Sequence, residues 1–391
     1  MILSVYSNLD TPALIIDYDI MRSNIQAMQE KANQYGVKLR PHTKTHKMPE
    51  LAKLQLEAGA AGITVAKVGE AEVMASQGIR DIFIANEIVG IAKLERIREL
   101  SRNIRIRLGV DNAVQVDQLE AVFKNEPYPA EVLIELETGE NRSGVIGEEP
   151  LVQLIKHIQS KTKVVLKGIF SHEGHSYRAQ NVAECRGICL ETQTRTLNAG
   201  NIARNLGAVI DTISIGSTPS LMHSEILKGI TEIRPGTYIF MDVGQVTAIS
   251  DYSRCAATIL ATVISLPTDE RIVLDSGAKA LTMQTRSGGI CATTGYGLVK
   301  GSDNVRLSGM FDEHGLICDA RLRSELAVGD KLEIIPNHIC PACNLYDTAY
   351  LVSNGKILRE LSIMGRGTTR YIAHLLYPRR SPIPATTPLQ F

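Results

Sequence analysis

Between residues 19 and 250 the chain alternates between two hydrophobic patterns with a near-constant period. Short apolar, β-branched runs at 37–40, 62–66, 81–85, 104–109, 131–136, 164–170, 209–215 and 231–240 predict strands. Many are apolar on both faces, as expected of parallel strands covered by helices. Segments of helical period at 48–58, 68–77, 92–103, 113–123 and 151–160 lie between them, and another at 20–35 precedes the first run. Eight such units predict an α/β fold of the (β/α)8 barrel type. The alternative is an open doubly wound sheet, but no G-x-G-x-x-G follows the first strand to support it.

The texture changes after about residue 243. Short β-branched runs at 257–265, 271–275, 305–309, 331–335 and 348–352 are separated by turn signals at 267–269, 287–289, 301–303 and 353–355. This predicts an all-β unit. The expected boundaries are 12–250 for the barrel and 251–391 for the β unit, with residues 1–11 packing against the latter. The apolar run 13–16 suits either unit, and the Pro-rich tail from Tyr377 reads as a surface arm.

Composition narrows the function. Lys plus Arg and Asp plus Glu are both 42, so no excess positive charge exists for nucleic acid or a polybasic membrane contact. Hydrophobic residues at 44% and charged residues at 21% exclude wholesale disorder. With 12 Tyr, 6 Phe and no Trp, the core must be aliphatic. The start lacks a secretory pattern and no apolar run approaches a membrane span. Seven scattered cysteines then read as thiols of a reduced, cytoplasmic protein.

Candidate chemistry falls after the predicted strands. Arg40-Pro41-His42-Thr43-Lys44-Thr45-His46-Lys47 follows the first one, where barrels place catalytic groups. Alternation would put Arg40, His42, Lys44 and His46 on one face. A lysine there, desolvated and near other cations, has a lowered pKa and can form a Schiff base; a solvated basic loop is the bland alternative. Small residues Gly216, Ser217 and Thr218 follow the seventh run, and Gly236, Thr237 and Tyr238 lie within the eighth, the pair of positions where barrels bind phosphate. Ordinary turns would carry the same residues.

Other polar clusters are weaker. His172 and His175 follow the sixth run and are metal ligands by type. Glu137 and Arg142 follow the fifth, and either orient an anionic substituent or pair with each other. In the β unit, His338-Ile339-Cys340 offers a nitrogen and a thiolate two residues apart, a set that suits zinc. Cys343 makes a C-x-x-C with Cys340, but no second such pair completes a four-cysteine site.

Taken together, these segments resemble the pyridoxal-phosphate enzymes of the alanine-racemase-like fold, in the branch of D-threonine aldolase and metal-dependent D-serine dehydratase. The resemblance runs from Thr11-Pro12-Ala13-Leu14 through the segments at 40–47, 139–144, 214–220 and 234–238 to Glu313-His314-Gly315 and 336–341. It implies that Lys44 is the Schiff-base lysine, that Arg142 approaches the cofactor's phenolic oxygen and that Tyr177 lines the cofactor. It implies that Gly216, Ser217, Thr218, Gly236, Thr237 and Tyr238 hold the phosphate. His338 and Cys340 would bind a divalent metal, zinc first, with manganese or magnesium as alternatives. Cys343 stands where the family has an aliphatic residue and is left out of the metal site. The implied activity is a lyase acting on a small D-β-hydroxy amino acid. Elimination to a 2-oxo acid and ammonia comes first, because the segment 214–220 and the loop ending in Tyr177 are similar to the dehydratases. Retro-aldol cleavage to glycine and an aldehyde is the alternative, and racemisation leaves His338 and Cys340 without a role. A homodimer is the further implication.

Overall fold

A computed structural model describes residue 6 and residues 8–368, so the tail from Tyr377 lies outside the described residues. The first strand, β1 (Ala13–Asp17), leads into α1 (Tyr18–Gln34). Asp17 caps α1 by accepting from the N–H groups of Asp19 and Ile20. The barrel strands are β2 (Lys38–Leu39), β3 (Ile63–Val65), β4 (Asp81–Glu87), β5 (Arg105–Val110), β6 (Ala130–Leu136), β7 (Val164–Ser171), β8 (Thr212–Ile215) and β9 (Glu232–Ile233). They alternate with α2 (Pro49–Glu57), α3 (Val68–Ser76), α4 (Ile91–Ser101), α5 (Ala113–Phe123), α6 (Glu148–Gln159), α7 (Val182–Asn205) and α8 (Thr218–His223).

All eight strands are parallel, in the order β2-β9-β8-β7-β6-β5-β4-β3. A parallel bridge between His42 and Thr64 brings β2 back to β3, with the Ala61 N–H donating to Leu39 O at 2.9 Å. Helices cover the outside with an aliphatic core that includes Ile63, Ile82, Leu108, Val132, Ile169 and Ile213. The last barrel strand is shorter than the run 231–240 predicts. Pro235 has no N–H for a ladder, and the chain turns into a 3-10 segment at Thr237–Ile239.

The second sheet holds β10 (Ala257–Ser265), β11 (Arg271–Leu274), β12 (Leu298–Val299), β13 (Gly309–Met310), β14 (Gly315–Cys318), β15 (Lys331–Ile335), β16 (Thr348–Ser353) and β17 (Lys356–Ser362). It also holds β1, antiparallel to β10 and parallel to β16. The boundary expected at residue 12 would give β1 to the barrel; its pairing gives it to the second sheet. The physical reason is visible in the run itself. Leu14, Ile15 and Ile16 are each buried, so both faces need cover, which only a central strand obtains. Upstream, Thr11 Oγ1 lies 2.6 Å from Thr262 Oγ1, and Lys331 Nζ donates to Tyr6 O at 3.0 Å. A second apolar cluster joins this sheet to the flank of the barrel through Leu14, Met21, Ile25, Met48, Leu51 and Phe240.

Candidate functional site

The C-terminal ends of the barrel strands converge on a cavity lined by His42, Lys44, Ala85, Arg142, Phe170, His172, Tyr177, Gly216, Ser217, Thr218, Arg234, Gly236 and Thr237. The cavity is open to solvent, with about 530 Å³ of empty space at its mouth and within it.

Lys44 stands in the 3-10 turn Thr43–Thr45 just after β2. That turn breaks the alternation the sequence suggests. Arg40 points down into the barrel, where it bonds Glu232 at 2.7 Å and Asp81 at 2.6 Å. His46 swings away, with Nδ1 accepting from the Met48 N–H at 3.0 Å and Nε2 3.3 Å from Gln55 Oε1. Only His42 and Lys44 of the four face the cavity. Among the described residues Lys44 Nζ has no hydrogen-bond or ion-pair partner. Burial holds its amine below the ordinary lysine range, and Arg142 and Arg234 push the same way against Cys340 and Glu70. Lys47 is engaged elsewhere, with Nζ 2.8 Å from Asn344 Oδ1 and 3.3 Å from Glu70 Oε1.

The histidines of the cavity are kept neutral. Burial and the neighbouring Lys44 push His42 well below its ordinary range. Burial, then Lys44 and Arg142, push His172 down to about 3. The cavity's fixed positive charge therefore resides on Arg142 and Arg234, a pair that suits an anionic ligand. Arg234 rises from the end of β9 with its guanidinium 5.1 Å from the Phe170 ring centroid and 5.8 Å from that of Phe83.

Arg142 and Glu137 do not pair through their side chains. The Arg142 guanidinium bonds Glu135 Oε1 at 3.1 Å, whereas Glu137 Oε2 accepts the Arg142 backbone N–H at 3.1 Å. Despite its burial, Glu137 is held below the ordinary carboxyl range by the backbone N–H groups of Gly139 and Arg142. Glu137 thus shapes the loop that carries Arg142.

Of the expected phosphate residues, Gly216, Ser217, Thr218, Gly236 and Thr237 line the cavity and Tyr238 does not. The Tyr238 side chain is buried in the core and its hydroxyl accepts from Gln55 Nε2 at 2.9 Å, so it does not reach the cavity. The N–H groups of Gly216 and Ser217 are taken by the Glu173 carboxylate, at 3.3 and 2.9 Å. The Thr218 hydroxyl is buried and without a hydrogen-bond partner, and Gly236 and Thr237 line the same cavity. An unpaired amine, two guanidinium groups and an orphaned buried hydroxyl fit a phosphorylated aldehyde such as pyridoxal phosphate.

The second sheet closes the mouth. The Arg286 guanidinium stacks 4.4 Å from the Tyr177 ring centroid, and the Ile290 N–H donates to Ala179 O at 2.7 Å. His338 caps the short helix Ile339–Cys343, whose first N–H donates to Asp242 Oδ2 at 3.0 Å. Cys340 Sγ lies 3.3 Å from Thr45 Oγ1 and 3.6 Å from Thr237 Oγ1, so it reaches the residues flanking Lys44 and Gly236. His338 Nδ1 is 3.0 Å from Gln284 Oε1. Donation to that oxygen fixes the tautomer and leaves Nε2 as a free lone pair, the arrangement usual for a metal-binding histidine. No group of three or more His, Cys, Asp or Glu able to hold a metal occurs among the described residues. His175, a ligand candidate by type, packs instead over Gly139 with its Nδ1 unpartnered. Cys343 is buried in the second apolar cluster.

Sequence reasoning did not single out Arg234 by itself, Phe170, Glu173, Gln284 or Arg286. Arg234 and Glu173 sit inside motifs read for their glycines and histidines. Gln284 and Arg286 lie in a segment with no pattern of its own.

Comparison with known proteins gives the same two-part division. The family model "Alanine racemase, N-terminal domain" matches residues 16–243, and "Putative serine dehydratase domain" matches 256–352. D-threonine aldolase of Arthrobacter sp. is 30% identical over 93% of this chain and 94% of its own. D-serine dehydratase of Dictyostelium discoideum is 28% identical over 89% and 94%. The solved D-threo-3-hydroxyaspartate dehydratase of Delftia sp. HT23 superposes with a TM-score of 0.85 at 28% identity, covering 91% of this chain and 98% of that one. Structures are also known of its His→Ala variant and of its Cys→Ala variant in the metal-free form, the two substituted positions lying two residues apart. The barrel, the second sheet and the site at their junction thus place this chain in the alanine racemase N-terminal-domain family, among members that carry a serine dehydratase domain after the barrel.

Proposed function

We propose that the protein is a pyridoxal-phosphate- and divalent-metal-dependent lyase that eliminates water from a D-β-hydroxy amino acid. The observation that carries this reading is the approach of Cys340, from the second sheet, to Thr45 beside Lys44. A thiol and a tautomer-fixed histidine two residues away have no use in racemisation, but a soft Lewis acid held there would stand by the substrate's β-oxygen. The His and Cys substitutions of the Delftia relative, spaced as His338 and Cys340 are, support the assignment.

Pyridoxal phosphate, when bound, supplies an electron sink for charge left at the substrate's Cα. The chain's residues do the rest. Lys44 Nζ attaches the cofactor and then, kept partly unprotonated by burial beside two guanidinium groups, accepts the Cα proton. Arg142, braced by Glu135, meets the phenolic oxygen. Thr218 and Thr237 meet the phosphate. Neutral His42 and His172 crowd the cavity without adding further positive charge, which would depress the basicity of Lys44. His338 and Cys340 hold the metal, zinc first by their donor atoms.

The relatives include dehydratases and aldolases, so the products decide. D-serine, D-threonine and D-3-hydroxyaspartate are each supplied to the enzyme with pyridoxal phosphate and zinc. Equal yields of 2-oxo acid and ammonia support elimination; glycine with an aldehyde replaces it with retro-aldol cleavage. Borohydride should fix the cofactor on Lys44, and its recovery on Lys47 would sink the assignment. A cytoplasmic homodimer completes the proposal. Light scattering at micromolar concentration checks the oligomeric state.

A further inference from the structure

Glu173 is a fully buried carboxyl group with no cation at ion-pair distance among the described residues; burial pushes its pKa up, against the Ser220 hydroxyl and the Gly216 N–H, which favour the carboxylate. It lies just beyond β7, and all its contacts run to the loop after β8. Oε1 accepts the Ser217 N–H at 2.9 Å and the Ser220 hydroxyl at 2.5 Å, and Oε2 accepts the Gly216 N–H at 3.3 Å. Two neighbours act in the same place. His172 Nδ1 lies 2.7 Å from Gly216 O, and Ser176 Oγ lies 2.9 Å from Ser217 Oγ. The nearby guanidinium of Arg234 is spent on Ser214 Oγ and Ser171 O, at 2.5 and 2.8 Å.

The consequence is steric and directional. Both the N–H and the C=O of Gly216 are bound by the β7 loop, and the N–H of Ser217 with them. This orientation leaves the next residue, Thr218, facing the cavity with its hydroxyl unpartnered and its side chain buried. A carboxylate is the one side chain of this size that accepts three donors and offers none of its own. An amide in its place would set an N–H₂ against one of those donors.

We propose that Glu173 is a positioning residue for the phosphate of the cofactor: it fixes the loop 216–218 so that Thr218 meets the anion. The inference rests on the pyridoxal-phosphate reading above. It differs from a direct phosphate contact, because the carboxylate itself faces away from the anion and acts only through the loop.

The test compares the affinity of the apoprotein for pyridoxal phosphate with that for pyridoxal, which lacks the phosphate, each followed by absorbance on binding Lys44. The ratio of the two dissociation constants isolates the phosphate contribution, which a general loss of fold does not move selectively. In Glu173→Gln the preference for the phosphorylated form should fall roughly tenfold or more, with pyridoxal affinity within about twofold of wild type. Glu173→Asp, which keeps the charge, should recover part of the preference. Ser220→Ala, a milder change that removes one of the three donors, should lower it by a smaller factor and guards against a Glu173→Gln protein that does not fold. A folded Glu173→Gln or Ser220→Ala protein with the wild-type ratio overturns the inference and leaves the cofactor assignment intact. A wild-type protein that binds neither aldehyde overturns the cofactor assignment and this inference with it.

Discussion

The Cys340 thiol donates to the Thr45 hydroxyl at 3.3 Å across 295 residues of sequence. That contact joins the second sheet to the turn that presents Lys44. Cys340 and Lys44 therefore stand close together, although they belong to different units of the fold.

Removal of the metal should separate binding from turnover. Cofactor contacts assigned to Lys44, Arg142, Thr218 and Thr237 all lie in the barrel, so chelation should leave cofactor absorbance nearly unchanged. Loss of a Lewis acid that stabilises a departing oxygen should cost roughly three orders of magnitude in kcat. Cys340→Ala should reproduce the chelated state and hold no metal by elemental analysis. Cys343→Ala, a change within the apolar cluster, should retain both the metal and turnover.

Tyr238→Phe tests the corrected phosphate set. The tyrosine hydroxyl accepts from Gln55 and nothing in the cavity touches it. Its removal leaves a buried amide donor unpaired, which should lower stability by about 1–3 kcal/mol. Urea denaturation reads that loss, and the dissociation constant for pyridoxal phosphate should stay within about twofold. A tenfold weaker cofactor with unchanged stability would restore the tyrosine to the cofactor's surroundings.

Arg40 makes a stability prediction independent of the cofactor. It is buried between Glu232 and Asp81 inside the barrel. Arg40→Met strands the Glu232 carboxylate without its cation, and should cost about 3–5 kcal/mol. The denaturation midpoint should drop with the slope unchanged.

His46 should set part of the acid limb of stability. Burial pushes it down from 6.5 to about 4, while its bonds to Gln55 and the Met48 N–H resist. The folded state thus binds its proton later than the unfolded chain does. The stabilisation is fully present above pH 6.5 and is lost as pH falls from there towards 4. At about 1.4 kcal/mol per pH unit, it amounts to a few kcal/mol at most. His46→Gln should flatten the fall in melting temperature over that window; an unchanged slope would show that other groups carry it.

Much of the site was legible because the fold puts its chemistry where strands end. Lys44, Arg142 and Thr218 were found by their place after predicted strands, Thr237 by its place within the eighth run and Tyr177 through the family resemblance, and they line one cavity. Alternation misplaced Arg40 and His46, because Pro41 and the 3-10 turn at Thr43–Thr45 end the extended backbone on which the pattern depends. Tyr238 was misread because its neighbours Gly236 and Thr237 do face the cavity, and only its hydrogen bond to Gln55 reveals the other direction. Glu173 left no usable signal, since its partners are backbone groups more than 40 residues away. The place of β1 was equally hidden: an apolar run states that both faces need cover, but not which strands supply it.

That place has a consequence for how the protein is made. β1 leaves the ribosome more than 300 residues before its parallel partner: across Ile15 is Tyr350 and across Ile16 is Leu351. In the barrel β2 waits for β9, but strands β3 to β9 each pair with the strand made just before or just after, so that run can assemble while translation continues. The second sheet cannot, because its central position is filled by a segment that must wait for β10 and then for β16. Loop closure over so long a span is the slow event in forming this sheet. Cys340 follows β15 of that same sheet, so its contact with Thr45, beside Lys44, depends on this assembly.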